Sequence, residues 1–122
     1  MYFVEADQSK RLLVISAAGK VTKKEVAAVA QQVRNMMSEM TPGFRVLTDF
    51  RWLDRMEPAA STHIAEIMDA LAEKKVALVV RVVPDPRKDI GLNILSQFHY
   101  GPKIKLVTFE SLAEALSMMM SE

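Results

Sequence analysis

Short apolar runs alternate with amphipathic segments along the whole chain. Two β-prone runs, residues 2–5 and 11–17, flank the polar stretch 7–10, and this pattern predicts a β-hairpin. Three further apolar runs predict strands at residues 44–50, 76–83 and 104–109. The run 76–83 is apolar on both faces apart from Arg81, which indicates a central, interior strand that is covered on both sides.

Helical periodicity fills the segments between these runs. Thr22 and Glu25 have the spacing of a capping box, Pro58 opens a second helix, and Asp85 or Asp89 caps a short third one. Inward positions in the first two helices are Val26, Ala30, Val33, Met37 and Met40, then Ala60, Ile64, Ile67, Met68 and Leu71. In the third helix Ile90, Ile94 and Phe98 line one face, and in the last helix, after Ser111, the inner stripe is Leu112, Ala115, Leu116 and Met119.

The resulting order is ββαβαβαβα. Helices between strands predict right-handed crossovers and a mixed, mainly parallel five-stranded sheet covered by about four helices, which is an α/β fold. No linker, repeat or low-complexity stretch interrupts the pattern, so we expect a single domain over residues 1–122.

Composition excludes several classes of function. The net charge of +1 gives no field to attract nucleic acid, and the absence of Cys excludes disulfides and thiol chemistry. No apolar run approaches the ~20 residues that cross a bilayer, and the start of the chain lacks the features of a signal peptide, so we expect a cytoplasmic protein.

Catalytic and metal-binding patterns are weak. The two histidines, His63 and His99, have no nucleophile beside them, and no Gly-rich phosphate loop is present. His63 and Glu66 are three residues apart on a helix, but a third metal ligand at matching spacing is missing. The sequence therefore predicts a protein that is not an enzyme and that needs no metal or other cofactor.

The third predicted strand and the helix after it carry the most informative motif. The strand ends in Asp49, a polar loop carries Trp52, and Pro58 starts the helix. This layout resembles the switch segment of STAS domains, the family of anti-sigma-factor antagonists and sulfate-transporter tails. In that family a strand ending Asp-Leu-Ser leads to Asp-Ser-Ser-Gly, whose second Ser is phosphorylated. Aligned without gaps from Asp49, the family's second Asp falls on Glu57 and the phosphorylated Ser falls on Ala59.

The resemblance to STAS domains spans nearly the whole chain and includes the order of elements. It implies a non-enzymatic regulatory or ligand-binding module, whose loop and second helix dock on a partner protein. Because Ala59 has no hydroxyl, we expect no phosphoserine switch at that position. The next hydroxyl, on Ser61, is either a replacement phosphoacceptor or a solvent-facing side chain of the helix, and we expect the second.

Charged side chains cluster after two of the predicted strands, where ligand sites of open α/β sheets collect. These residues are Asp49, Arg51, Trp52, Asp54 and Arg55 after one strand, and Arg81, Asp85, Arg87, Lys88 and Asp89 in or after the next. Buried Arg81 needs a counter-charge, which we expect from Asp49 or Asp54. The cluster is a salt-bridged layer over the sheet edge, a protein-docking rim, or an anion site. In the anion site, Arg87, Lys88 and free helix N–H groups would bind phosphate or carboxylate.

Two functions stay open at this point. The first is a regulatory, protein-binding module of STAS type, and the alternative is a carrier or sensor of a small anionic or lipidic ligand. The candidate binding residues are Asp49, Arg51, Trp52, Asp54, Arg55, Glu57, Ser61, Arg81, Arg87 and Lys88. Trp52 is either a buried loop anchor or a binding hot spot. Three consecutive methionines, residues 118–120, cannot all face inward, which leaves a homodimer contact open.

Overall fold

The computed structural model describes residues 1–121, in which strands and helices alternate in the predicted order. The strands are β1 (Tyr2–Asp7), β2 (Leu12–Val21), β3 (Arg45–Met56), β4 (Leu78–Val82) and β5 (Lys105–Phe109). The helices are α1 (Lys23–Met37), α2 (Ser61–Glu73), α3 (Ile90–His99) and α4 (Leu112–Met120). Short 3-10 turns, Pro58–Ala60 and Pro86–Asp89, lead into α2 and α3.

The strands form one sheet in the order β1-β2-β3-β4-β5. β1 and β2 make an antiparallel hairpin, and every other pair is parallel. This confirms the predicted mixed, mainly parallel five-stranded α/β sheet. The strand expected to be central, β4, is interior and fully buried, as predicted, but the middle position belongs to β3.

Two apolar cores lie on the two faces of the sheet. Helices α1, α2 and α3 cover one face, and α4 alone covers the other, above Leu47, Val80 and Val82. In α4 the prediction that Leu116 faces inward is wrong, since 40% of its surface is exposed. The short α4 rests on β4 and β5, and only Ala115 and Met119 are buried within it.

Local signals in the sequence fix the start of α1. The hydroxyl of Thr22 accepts a hydrogen bond from the backbone N–H of Glu25 at 3.1 Å, and the Glu25 carboxylate accepts one from the Thr22 N–H at 3.1 Å. This is the predicted capping box, which satisfies two backbone donors that the helix leaves unpaired. The predicted apolar stripe of α1 is buried against the sheet, as is that of α2.

The strand predicted at residues 44–50 continues to Met56, so the residues expected to form a polar loop around Trp52 are strand instead. β4 accompanies β3 only as far as Asp49, and beyond it β2 alone supplies backbone partners. The prediction was wrong because the length of β2, not the polarity of β3, decides how far the backbone of β3 stays paired. We call residues 50–56 the β3 extension. No strand within residues 1–121 pairs with its other edge.

The ladder between β2 and the β3 extension is irregular. Gly19 lies opposite Leu53 and Lys20 lies opposite Arg55, which leaves Asp54 as an extra residue on β3. Gly19 has a φ of +69°, a left-handed conformation that a residue without a Cβ adopts at little cost. Such bulges bend and twist a strand, and they are frequent at sheet edges.

Truncation of Val80 tests the packing of the core beneath α4. The change Val80→Ala leaves a cavity between β4 and α4, and we expect it to lower the free energy of unfolding by about 1–3 kcal/mol. Urea denaturation measures the loss. Ser117→Ala, on the exposed side of α4, is the control and should change stability by less than about 0.5 kcal/mol. Equal stability of the two variants would contradict the arrangement.

Candidate functional site

A groove runs between the β3 extension and helix α3. One wall is formed by residues 53–58 with Ser61 and Ile64 from the start of α2. The opposite wall is formed by Lys88, Gly91, Leu92 and Leu95. The groove has a volume of about 450 Å³, which is within the ~300–1,000 Å³ of typical ligand pockets. We call it the β3–α3 groove.

Lys88 bridges the two walls of the groove. Its ammonium donates a hydrogen bond to the backbone carbonyl of Leu53 at 2.9 Å. In an extended strand the N–H and C=O of one residue point to the same side, so this bond shows that the backbone of Leu53 faces the groove. Within residues 1–121 no carboxylate lies within ion-pair distance of Lys88.

The rim of the groove carries charged side chains without partners. Asp54, Arg55 and Glu57 are exposed, and their side chains make no hydrogen bond or ion pair to any residue that the structure describes. The Ser61 side chain is also exposed, at the first residue of α2. Four of the predicted site residues therefore lie together with Lys88 around one groove.

Asp49, Arg51 and Trp52 form a separate cluster on the other face of the sheet. Asp49 lies opposite Val82, whose side chain belongs to the core beneath α4. The Asp49 carboxylate accepts hydrogen bonds from Arg51 Nε at 3.0 Å and Nη2 at 2.9 Å, which raise the pKa of Arg51. It also accepts the backbone N–H of Arg51 at 3.1 Å, so it orders the local backbone.

Trp52 is exposed to solvent rather than buried as an anchor. The Arg51 guanidinium lies 5.8 Å from the centroid of its ring, and 71% of the Trp52 surface is accessible. A cation at this distance from an indole is attracted to the ring, which restrains Trp52 without covering it.

Arg81 is buried, and its counter-charge is Asp89. Arg81 Nη1 donates to Asp89 Oδ1 at 2.9 Å and to Asn93 Oδ1 at 3.3 Å, and Nη2 donates to the Ser96 hydroxyl at 2.8 Å. The expectation of pairing with Asp49 or Asp54 is wrong. Arg81 points to the face covered by α3, whereas Asp49 points to the opposite face and Asp54 lies beyond the end of β4.

The partners of Arg81 have a spacing that the sequence analysis missed. Asp89, Asn93 and Ser96 are four and three residues apart, so they form one polar stripe along a mostly apolar helix. Because this stripe faces Arg81, the opposite stripe of α3 faces solvent. Its residues are Ile90, Ile94 and Phe98, which are 60%, 52% and 80% exposed.

A narrow apolar cavity of about 60 Å³ lies between the sheet and the helices, mainly under α1 and α2. Arg81 and Tyr100 are among its lining residues. Burial raises the pKa of Tyr100 to about 12, and the nearby Arg81 charge opposes this rise. The cavity is well below the ~300–1,000 Å³ of pockets that hold larger organic ligands.

The two cations predicted to bind an anion both have other partners. Arg87 pairs with Asp85 at 3.0 Å, and their hydrogen bonds lower the pKa of Asp85 and raise the pKa of Arg87. Lys88 is engaged with the Leu53 carbonyl. An anion bound by Arg87 and Lys88 would have to replace both contacts.

None of the described helices is long and apolar enough to cross a lipid bilayer. In residues 1–121, no three His, Asp or Glu side chains come together as metal ligands. Glu66 instead pairs with Arg34 of α1 at 2.6 Å, and its other oxygen lies 3.2 Å from His63.

The architecture is similar to that of several solved structures. The anti-sigma factor antagonist SpoIIAA in its unphosphorylated form matches with a TM-score of 0.69 at 14% identity, over 100% of both chains. The chain has a STAS-like fold. An uncharacterized protein with a SpoIIAA-like fold from Shewanella loihica PV-4 matches at 0.70 and 18% identity, over 97% of this chain and 91% of that one.

A third structure with the same STAS-like fold is an anti-sigma factor antagonist from Mycobacterium paratuberculosis. It has a TM-score of 0.61 and 18% identity, over 98% of this chain and 93% of that one. No protein-family model matches the sequence, and no curated protein does. Identities of 14–18% establish a common fold, so the function has to be argued from the site itself.

Removal of one charge from the buried pair tests the role of Arg81. Asp89→Asn leaves a buried guanidinium with neutral partners only, and we expect a loss of about 3–5 kcal/mol in the free energy of unfolding. The double variant Arg81→Met with Asp89→Leu removes both charges and should lose less. Urea denaturation measures both changes.

Asp85→Asn is the matched control for this experiment, because it breaks the exposed pair with Arg87 and should leave stability nearly unchanged. If Asp89→Asn were as stable as Asp85→Asn, Arg81 would not depend on Asp89.

Proposed function

We propose that this chain is a non-enzymatic regulatory module of STAS type that binds another protein. Its docking surface is the exposed stripe of α3 together with the β3–α3 groove beside it. The observation that carries the proposal is the exposure of three large apolar side chains, Ile90, Ile94 and Phe98, on one helix face.

The composition of α3 supports a protein interface. Residues 90–98 contain no charged side chain, whereas the exposed sides of α1, α2 and α4 carry Lys, Arg, Asp or Glu. The exposed stripe runs from Ile90 to Phe98, and the eight steps between them measure about 12 Å along the helix. Contiguous apolar surface marks interaction sites, and the centres of protein interfaces are depleted in charge.

The known relatives by fold agree with a protein partner. SpoIIAA and the Mycobacterium paratuberculosis protein are anti-sigma factor antagonists, a name that describes an action on another protein. The partner of this chain need not be an anti-sigma factor, because at 14–18% identity a shared fold carries many different partners.

Regulation by phosphoserine at the usual STAS position is not part of the proposal. Ala59, which aligns with the phosphorylated Ser, lies in the 3-10 turn before α2 and is exposed. Ser61 follows at the start of α2, on the rim of the groove.

The alternative, a small anionic or lipidic ligand, has less support. The apolar cavity under α1 and α2 has a volume of only about 60 Å³, and Arg87 and Lys88 both have other partners. A homodimer through the methionines of α4 also stays a prediction, and Met120 is the exposed one, with Met119 buried and Met118 half-buried.

Incubation with ATP and a serine kinase that phosphorylates STAS domains tests the absence of the switch. We expect the intact mass of this chain to stay unchanged, because Ala59 offers no acceptor oxygen. A STAS domain that has the acceptor serine is the positive control. A stoichiometric phosphate that disappears in Ser61→Ala would show that the switch has moved to the groove rim, where added charge rearranges a docking surface.

Charge substitutions on α3 test the docking surface. The pair Ile94→Asp and Phe98→Asp should abolish co-purification of a discrete, stoichiometric partner from cells of the source organism, since it places two charges in an apolar contact. The matched control is Leu116→Asp with Met120→Asp, which adds the same charges to exposed apolar positions of α4. Partner retention by the α3 variant, or loss in both variants, would place the docking surface elsewhere; circular dichroism checks that all variants are folded.

A further inference from the structure

We infer that the β3–α3 groove receives an extended segment of the partner protein, which pairs with the β3 extension as an additional parallel or antiparallel strand. This inference rests on the proposed function, because it takes the occupant to be part of a protein. The segment carries a carboxylate side chain that pairs with Lys88.

One edge of the β3 extension is open. Residues 50–56 pair with β2 on one side, and among the described strands none pairs with the other side, because β4 ends opposite Asp49. In a regular strand every second residue presents its N–H and C=O to one edge, and although the bulge at Asp54 interrupts this alternation, the Leu53 carbonyl is directed to the open edge. A row of such groups is a template for strand addition by another chain, which is a common mode of peptide recognition.

A hydrogen bond from a lysine side chain occupies this edge. The Leu53 carbonyl accepts from a lysine side chain at 2.9 Å instead of from a backbone N–H. The ammonium of Lys88 therefore stands where the N–H of a neighbouring strand would lie. Lysine at a strand edge also protects the edge against uncontrolled pairing, so the same contact explains how an open edge is tolerated.

The positive charge of Lys88 favours an acidic segment. A strand that binds Leu53 displaces the Lys88 ammonium from its acceptor, and no carboxylate of residues 1–121 lies within ion-pair distance of Lys88, the rim carboxylates of Asp54 and Glu57 included. A released cation at the wall of a groove favours an anionic group on the incoming segment. The complementary ligand is thus an extended peptide with an Asp or Glu opposite Lys88.

The shape of the groove favours a strand over a helix. Residues 53–56, which line the groove, are a stretch of four residues that measures at most ~13 Å at ~3.3 Å per residue, so an incoming strand of about four residues can lie along them. Side chains of a strand alternate between two faces, so those on the inner face would contact Leu92, Leu95 and Ile64. A helix with a diameter of ~10–12 Å has all its backbone groups paired internally and gains nothing from the open edge.

Selection from a display library of random, linear eight-residue peptides provides the probe. The enriched peptides are synthesised, and their binding is measured with each backbone amide N-methylated in turn. Strand addition predicts that methylation at alternate positions weakens binding by at least about tenfold, while the positions between change it less than about twofold. On binding, hydrogen exchange should slow in residues 53–56.

The acidic preference is tested with a matched pair of protein variants. Replacing the peptide's Asp or Glu by the amide should weaken binding to the wild type several-fold, and this effect should vanish with Lys88→Gln. Arg87→Gln removes a neighbouring exposed cation and should preserve the effect. An unchanged effect in Lys88→Gln would overturn the assignment of the carboxylate to Lys88.

The outcomes separate this inference from the proposed function. Failure to enrich peptides, or a methylation effect without alternation, overturns strand addition. In that case a partner lost in the Ile94→Asp and Phe98→Asp variant still supports docking on α3. Conversely, alternating peptides that bind while the α3 variant keeps its cellular partner would support strand addition and contradict the α3 stripe.

Discussion

The buried guanidinium of Arg81 determines how α3 sits on the sheet. A charge with 2% exposure on an otherwise apolar strand needs hydrogen-bond acceptors, and α3 with the turn before it supplies them to both Nη atoms from Asp89, Asn93 and Ser96, whereas the buried Nε has no partner among the described residues. These residues occupy one face of the helix, so the helix has to turn that face inward. The apolar face, with Phe98 at 80% exposure, is then directed to solvent. The proposed docking surface is therefore a consequence of how one internal charge is neutralised.

The groove beside α3 has an independent origin, the unequal lengths of the parallel strands. β2 has ten residues and β3 has twelve, whereas β4 has five. The two long strands extend past β4 together, and the chain after β4 turns through Pro86–Asp89 into α3. The space that a longer β4 would have filled is left between the β3 extension and α3, with Lys88 across it.

Features that depend on neighbouring residues could be predicted from the sequence, and features that depend on distant ones could not. The capping box of Thr22 and Glu25 is contained in four residues, and the apolar stripes of α1 and α2 repeat within one helix. The end of β3 beyond Trp52 depends on β2, and the partner of Arg81 depends on which face of the sheet each residue occupies. The outward direction of the stripe around Ile94 has a local signal in the sequence, which is the spacing of Asp89, Asn93 and Ser96 on the other side of the helix. That spacing is informative only once Arg81 is known to need acceptors.

The order of strands in the sheet has a consequence for synthesis of the protein. Each strand pairs with the one made just before it, so the sheet grows at one edge in the order in which the ribosome delivers the chain. The face beneath α4 is different, because the helix that covers Val80 and Val82 is made after all five strands of the sheet. At ~5–20 residues per second that face stays open for a few seconds during translation. In this interval the nascent chain is exposed to premature association, and nascent-chain chaperones would act on this face of the sheet.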